Sequence, residues 1–446
     1  MQKIIIIGAG LCGTLLAIRL GQRGYNVQLY EKRGDMRKEG VEAGRSINLA
    51  LSDRGLMALE QAGLADSIRA YCIPMRGRQI HTLAGERFLS PYSGRSEDFI
   101  NSVSRSGLNM ALLNEADKMD HVKITFNHKC SGVNLDAGSA NLINLSTGEH
   151  IIDEGTVVIG TDGAGSAVRR SMMAQTTKLR FNYVQSFLEH GYKELTIPPG
   201  PNGTYRIEKN ALHIWPRDEF MIIALPNLDG SFTVTMFHPY GGEYGLDKLT
   251  SKEKVAVFFE KFFPTLVPHT PTYLEDFFNN PTGTIGTIRC SPWQAYGRTL
   301  VMGDAAHAIV PFYGQGMNAS FEDVRVFDDI LGANEGNWDK IFTEFQAARI
   351  ENANAIGDLA LDNFHEMQDK TNDPVFIKKR NLERQLENQF PDYYSKYSLV
   401  TFQPKLPYLE AMARGRRQDE FLMDLCAREE NPDLEKVMNA VRALSS

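Results

Sequence analysis

The sequence predicts an α/β fold in which a doubly wound βαβ domain is interrupted by an inserted β-sheet domain and closed by a C-terminal helical region. Three observations predict it. The β-branched run Ile4-Ile5-Ile6-Ile7 is followed by Gly8, Gly10 and Gly13 and then by the apolar stretch Leu11 to Leu20. Short buried strands recur at Asn26 to Tyr30, Val157 to Gly160 and Arg298 to Met302. Alternating polar and apolar residues fill roughly 180 to 290, and helical spacing takes over after Ala319.

The opening run suits a buried parallel strand, and Leu11 to Leu20 reads as the helix after it. Between them the glycines have the G-x-G-x-x-G spacing of a dinucleotide-binding turn. They serve a tight turn, close approach of backbone to a pyrophosphate, and close helix–strand packing. The second strand ends at Glu31, where a carboxylate accepts hydrogen bonds from an adenosine ribose. Lys32 and Arg33 extend that strand end. Gly8 and Gly10 break the apolar start and no small-x-small cleavage site follows, so it reads as a strand rather than a secretory leader.

With 446 residues the chain is long enough for two or three domains, and 42% hydrophobic with 23% charged residues describes an ordinary globular protein. A net charge of −7 without any basic run argues against a nucleic-acid partner. Cys12, Cys72, Cys130, Cys290 and Cys426 are scattered, with neither metal-ligand nor C-x-x-C spacing. They read as small core residues in a reducing compartment, and no metal is expected. No apolar stretch reaches membrane-spanning length.

Further along, a helix is expected from about Asp53 to Gly63, and strands of a different sheet from about Pro74 to Ser104. Leu108 to Met119 reads as a helix, and Val122 to Phe126 with Cys130 to Leu145 as a meander. The expected division assigns 1–75, 102–178 and 281–330 to the first domain, 76–101 and 179–280 to the inserted sheet, and 331–446 to the helical region. Asp162 follows the Val157 to Gly160 strand; capping of the next helix and direct contact with a ligand are equally good readings of it.

The most informative stretch is Gly303-Asp-Ala-Ala-His-Ala-Ile-Val-Pro-Phe-Tyr-Gly-Gln-Gly-Met-Asn. Asp304 stands at a strand tip, placed to hold a sugar hydroxyl. The turn through Gly314 and Gly316 leaves backbone N–H groups bare at the start of the next helix, which suits an electron-rich oxygen or ring edge. His307 has no evident partner to orient it as a base and reads as a packing or capping residue.

Three segments, Gly8-Ala-Gly-Leu-Cys-Gly with Glu31, Gly160-Thr-Asp-Gly-Ala-Gly-Ser-Ala-Val-Arg, and Gly303-Asp-Ala-Ala-His to Asn318, together resemble the class A flavoprotein monooxygenases. These are the aromatic hydroxylases with one Rossmann-like FAD-binding domain and no separate NADPH domain. Gly44-Arg-Ser-Ile-Asn-Leu-Ala-Leu-Ser, Met75-Arg-Gly-Arg-Gln-Ile-His and His213-Ile-Trp-Pro-Arg are similar to the members that act on a small aromatic amino acid. The resemblance implies bound FAD, with contacts at Gly8, Gly10, Leu11, Gly13, Glu31, Lys32, Arg33, Arg45, Ala50, Arg105, Cys130, Asp162, Asp304, Gly316, Met317 and Asn318. It also implies NADPH as reductant and O2 taken up as a flavin C4a-hydroperoxide. The substrate's amino-acid head falls to Arg78 and Tyr92, joined by Asn372 and Tyr408. Arg78 suits a carboxylate, which a guanidinium grips with two parallel hydrogen bonds.

Phe312 and Gln315 are the residues implied nearest the chemistry: Phe312 would cover the reacting ring, and the loop they share would sense substrate. Leu212, Ile223 and Phe237 are candidate walls. A cytoplasmic, bacterial-type enzyme without a membrane anchor is implied. The alternatives are a hydroxylase of another small aromatic acid or phenol, and a flavin-fold binding protein without activity.

Overall fold

The computed structural model describes residues 2–39, 48–369 and 373–444. Its central six-stranded sheet runs in the order Gln294–Ala295, Thr299–Val301, Val157–Gly160, Lys3–Ile7, Asn26–Tyr30, Val122–Thr125. All neighbours are parallel except the short edge strand Gln294–Ala295. Ile4, Ile5 and Ile6 are fully buried in the middle of it, as a strand covered on both faces requires. Helices Leu11–Gln22, Arg105–Ala116 and Gly316–Ala333 pack together beside it. The carboxyl ends of the strands carry Gly8, Glu31 and Thr161 side by side, since Ile7 is in register with both Tyr30 and Gly160. That edge is where open parallel sheets bind ligands.

A seven-stranded sheet stands against it, ordered Gly283–Ser291, Asn182–Ile197, Phe232–Pro239, Phe220–Pro226, Leu212–Arg217, Gly77–His81, Arg87–Pro91. Period-2 alternation gives this sheet two buried faces. Trp215, Ile222, Val234 and Met236 meet Phe258, Phe259 and Phe263 of the helix Lys252–Phe262 and the turn after it. Ile214, Met221, Leu225 and Phe237 point the opposite way, toward Leu359 and Ala360 of the long helix Trp338–Asp369. The helices Pro374–Gln389, Tyr408–Arg428 and Leu434–Leu444 share a core of Leu382, Leu386, Leu422 and Val441.

Three expectations are corrected. Val122–Thr125 is not in the meander but extends the parallel sheet beside Asn26–Tyr30, because its apolar Val122 and Ile124 pack on that sheet's core. The meander keeps His128–Asn134, Ser139–Asn144 and His150–Glu154. A boundary at 281 cuts the seven-stranded sheet, whose edge strand Gly283–Ser291 pairs with the long strand Asn182–Ile197. The segment Pro74 to Ser104 divides: Gly77–His81 and Arg87–Pro91 join the large sheet, while Cys72–Met75 and Ile100–Ser104 pair with Asn48–Leu51. Among the described residues no helix is long and apolar enough to cross a membrane.

Candidate active site

The strand ends open onto a cavity of about 780 Å³ that runs between the two large sheets. This is the size range of cofactor and ligand sites. One end is built from backbone. Gly8 has φ +102°, and a Cβ there would lie 2.7 Å from the Thr161 carbonyl oxygen, so only glycine lets these strand ends touch. Gly10 precedes the helix Leu11–Gln22, whose first turn carries no acid and no side-chain cap, and a Cβ at Gly10 would meet nothing. The first N–H groups of that helix are left for an anion. Gly13 does not reach the cavity; it packs directly on the Gly8 carbonyl, the close approach expected of the third glycine.

Glu31 accepts from the Ala9 N–H at 2.9 Å and from Arg33 Nε at 2.8 Å. Burial pushes its carboxyl up, but Arg33 and the N–H groups outweigh this and hold it below the ordinary range. It is therefore an ionised acceptor at neutral pH with lone pairs to spare. Asp162 caps a helix and also faces the cavity. One oxygen caps the helix Ala167–Met173 through the Ala167 N–H at 2.6 Å; the other is buried without a partner, in a residue that lines the cavity. Its carboxyl is raised by burial, against the bonds from Ser166 and Ala167. Asp304, Leu11, Lys32, Arg33, Ala50, Arg105, Cys130, Gly316 and Met317 also line this cavity.

The other end is built from side chains. Leu212, Ile214, Ile223 and Phe237 form the sheet wall, and Phe312 covers it, with ring centroids 4.9 Å from Phe237 and 4.4 Å from Phe364. Arg78 enters this apolar chamber half-buried. Its guanidinium lies 4.8 Å from the Tyr397 ring and 5.6 Å from Tyr92, and among the described residues it has no carboxylate partner. Tyr313, Tyr397 and Tyr92 form a ladder at 5.5 Å spacing. The hydroxyl of Tyr92 is buried without a partner.

Several expected site residues lie elsewhere. Asn318 does not face the cavity: it donates to the Ala50 and Gly314 carbonyls at 2.8 and 2.9 Å and accepts from the Ser52 N–H, tying the turn to the strand Asn48–Leu51. Gln315 is buried behind the turn, its amide oxygen accepting from the Tyr408 hydroxyl at 3.0 Å. Tyr408 is also outside the chamber, fully buried under the Arg54 guanidinium at 4.0 Å. A helix start and a tight turn each aim only some side chains at a ligand, and these three face the protein. Tyr92 stands behind Tyr397 rather than on the wall. Arg45 and Asn372 lie outside the described residues.

Two residues were missed. Tyr397 lines the chamber beside Arg78, and the aromatic run Tyr393-Tyr394-Ser395-Lys396-Tyr397 was its only signal. Asn363, on the long helix, donates to the Phe312 carbonyl at 2.7 Å, with no sequence signal at all. His307, read as lacking an acid partner, bonds to Asp323 Oδ2 at 2.5 Å, although it does not line the cavity.

A family model described as an FAD binding domain matches residues 1–337. Kynurenine 3-monooxygenase of Myxococcus xanthus is 44% identical, with 99% of this chain and 95% of that protein covered. The enzyme of the same name from Dictyostelium discoideum is 42% identical over 98% and 95%. Among solved structures, the tetrameric form of 2-methyl-3-hydroxypyridine-5-carboxylic acid oxygenase superposes with a TM-score of 0.66 at 21% identity, covering 87% of this chain and 98% of that one. A single-residue variant of Klebsiella pneumoniae HpxO, complexed with FAD, gives 0.66 at 18% identity over 86% and 95%. At such identities these structures speak for the fold alone.

The chain is a flavoprotein monooxygenase of the FAD-dependent aromatic hydroxylase class. Within that class it belongs to the kynurenine 3-monooxygenase family. The cavity fits FAD: an uncapped helix start, an open glycine cradle at Gly10, an ionised Glu31 and an orphaned Asp162 oxygen are the features such a dinucleotide requires.

Proposed function

We propose that the protein hydroxylates L-kynurenine to 3-hydroxykynurenine with NADPH and O2, a step of tryptophan degradation towards quinolinate and NAD. The observation that carries this reading is Arg78, a cation without a carboxylate partner among the described residues, in an otherwise apolar chamber that is continuous with the cofactor end of the cavity. A guanidinium that faces an apolar chamber without a carboxylate leaves its fork of donors for an anion, and a substrate carboxylate is the natural partner for it.

Bound FAD, reduced by NADPH, supplies activated oxygen, one atom for the ring and one leaving as water. Gly8, Gly10 and the first turn after them would hold its pyrophosphate, Glu31 its ribose, and Asp304 with the Gly314–Gly316 turn the part nearest the ring system. Aromatic C–H bonds resist side-chain acids and bases, so the chain's task is placement. Arg78 fixes the amino-acid end by charge and by paired hydrogen bonds. Tyr397 lies against the guanidinium and limits its swing, with Tyr92 and Tyr313 stacked on either side. Leu212, Ile223, Phe237 and Phe312 hold the aryl group flat and keep water from the reacting carbon, which the aniline nitrogen of the substrate makes electron-rich.

The test is anaerobic reduction of the flavin by NADPH with and without L-kynurenine, followed by product analysis in air. Fast bleaching only with kynurenine, and one 3-hydroxykynurenine formed per NADPH, are expected. Reduction indifferent to kynurenine, or better coupling with a simple phenol, overturns the reading.

A further inference from the structure

We infer that Asp323 is a positioning residue for FAD: with His307 and Arg349 it sets the conformation in which Asp304 meets the cofactor, although none of the three lines the cavity. The segment Asp304–His307 is a helix of only four residues, too short to hold itself together, and no side chain caps it. It follows Gly303, which has φ +61°. Its shape is imposed from outside. Asp323 Oδ2 accepts from the Gly303 N–H at 3.1 Å and from His307 Nε2 at 2.5 Å, clasping both ends of the segment. Asp323 Oδ1 accepts from Arg349 Nε at 2.7 Å, and Arg349 Nη1 reaches Glu322 at 3.4 Å. Two further ties hold the carbonyls in between: Arg169 Nη1 to Ala305 at 2.6 Å and Cys290 Sγ to Ala306 at 3.3 Å. Trp293 stacks on the His307 ring at 5.1 Å and 22°.

Asp323, His307 and Arg349 are 0%, 3% and 2% exposed. Burial pushes the Asp323 carboxyl up, but His307 and Arg349 outweigh it and keep it below the ordinary range. Apolar residues could fill this volume at no electrostatic cost, so a charged group kept in such a place specifies geometry. That geometry is legible: the single oxygen Oδ2 bridges the two ends of the one turn that presents Asp304 to the cavity, while Oδ1 is held by Arg349. A carboxylate is needed because it accepts from three N–H donors at once. An Asn has a single acceptor oxygen, and in either flip its amide N–H2 faces a donor.

The test compares His307→Gln, whose amide nitrogen can still donate to Asp323, with His307→Phe, which keeps the stack on Trp293 but cannot donate, and with Asp323→Asn. FAD affinity is read by titrating apoprotein into flavin and following fluorescence quenching, and apoprotein stability by thermal melting. His307→Gln is expected to bind FAD within about threefold of wild type, while His307→Phe and Asp323→Asn bind at least about tenfold more weakly. If Asp323→Asn does not fold, the two His307 variants decide. Wild-type FAD affinity in a folded His307→Phe, equal weakening in both His307 variants, or loss of folding in His307→Gln overturns the proposal. A lowered melting point with unchanged affinity would also overturn it, since that is what a purely structural cluster predicts.

Discussion

The two ends of the cavity are made differently. At the cofactor end the chain presents backbone and strand-end acids that lie close together in sequence: Gly8 and Gly10, then Glu31, and again Gly303 to Met317. At the chamber end it presents side chains from far-separated segments: Arg78, Leu212, Phe237, Phe312 and Tyr397. A dinucleotide is much the same molecule in every enzyme, and a short motif suffices to bind it. An arene with an amino-acid tail needs a shape, and the shape comes from tertiary packing. Errors in the backbone-built end should therefore be catastrophic, and those in the side-chain-built end graded.

The largest effect is expected from Gly8→Ala. A positive φ and a Cβ 2.7 Å from the Thr161 oxygen cost roughly 2–5 kcal/mol. The purified variant should be colourless or fail to fold, and a yellow protein with native flavin content would break the contrast. Next in size is acid sensitivity on the chamber side. His81 and His213 bond to each other at 2.9 Å within the strands that carry Arg78 and Leu212. Burial lowers their pKa values, to about 3 for His81 and about 4 for His213. Both imidazoles stay neutral when folded, whereas in the unfolded chain they take protons near pH 6.5. Their contribution is thus complete above that pH and is lost as pH falls from about 6.5 toward 4. Urea melts across this range should show the loss, and His213→Gln should flatten it.

Arg78→Lys keeps the charge but not the fork, and should weaken kynurenine binding by about 1.5–3 kcal/mol with flavin content unchanged. Unchanged substrate affinity in a yellow variant would remove Arg78 from the site. The smallest effect is expected from Tyr397→Phe, about 0.5–1.5 kcal/mol in kcat/KM, since the ring ladder survives and only the hydroxyl is lost. Titration with kynurenine, monitored by the flavin spectrum, measures the binding of both variants, and steady-state turnover gives kcat/KM.

The same contrast explains what could be read from the sequence. The glycine turns, Glu31 and Asp304 were legible because each motif is local and its backbone geometry follows from residue type. Asp162 was legible only as an ambiguity, and the structure shows it capping a helix with one oxygen while the other is left over. The side chains of Asn318, Gln315 and Tyr408 face the protein and not the cavity, and position in a motif or in a loosely matched tail does not tell which way a side chain faces. Tyr397 and Asn363 come from helices whose periodicity announces only burial. The strand Val122–Thr125 was assigned to the wrong sheet because short apolar strands look alike until their partners are known.

The wall of this cavity joins Ile7, near the start of the chain, to Tyr397, near its end. During synthesis the glycine turn leaves the ribosome early, but the chamber stays open until the last helices follow. The cofactor end can thus be complete before the chamber, whose wall waits for Tyr397. Ribosome-stalled fragments ending before residue 396 should bind kynurenine poorly, and tight kynurenine binding by such fragments would show that the chamber closes without Tyr397.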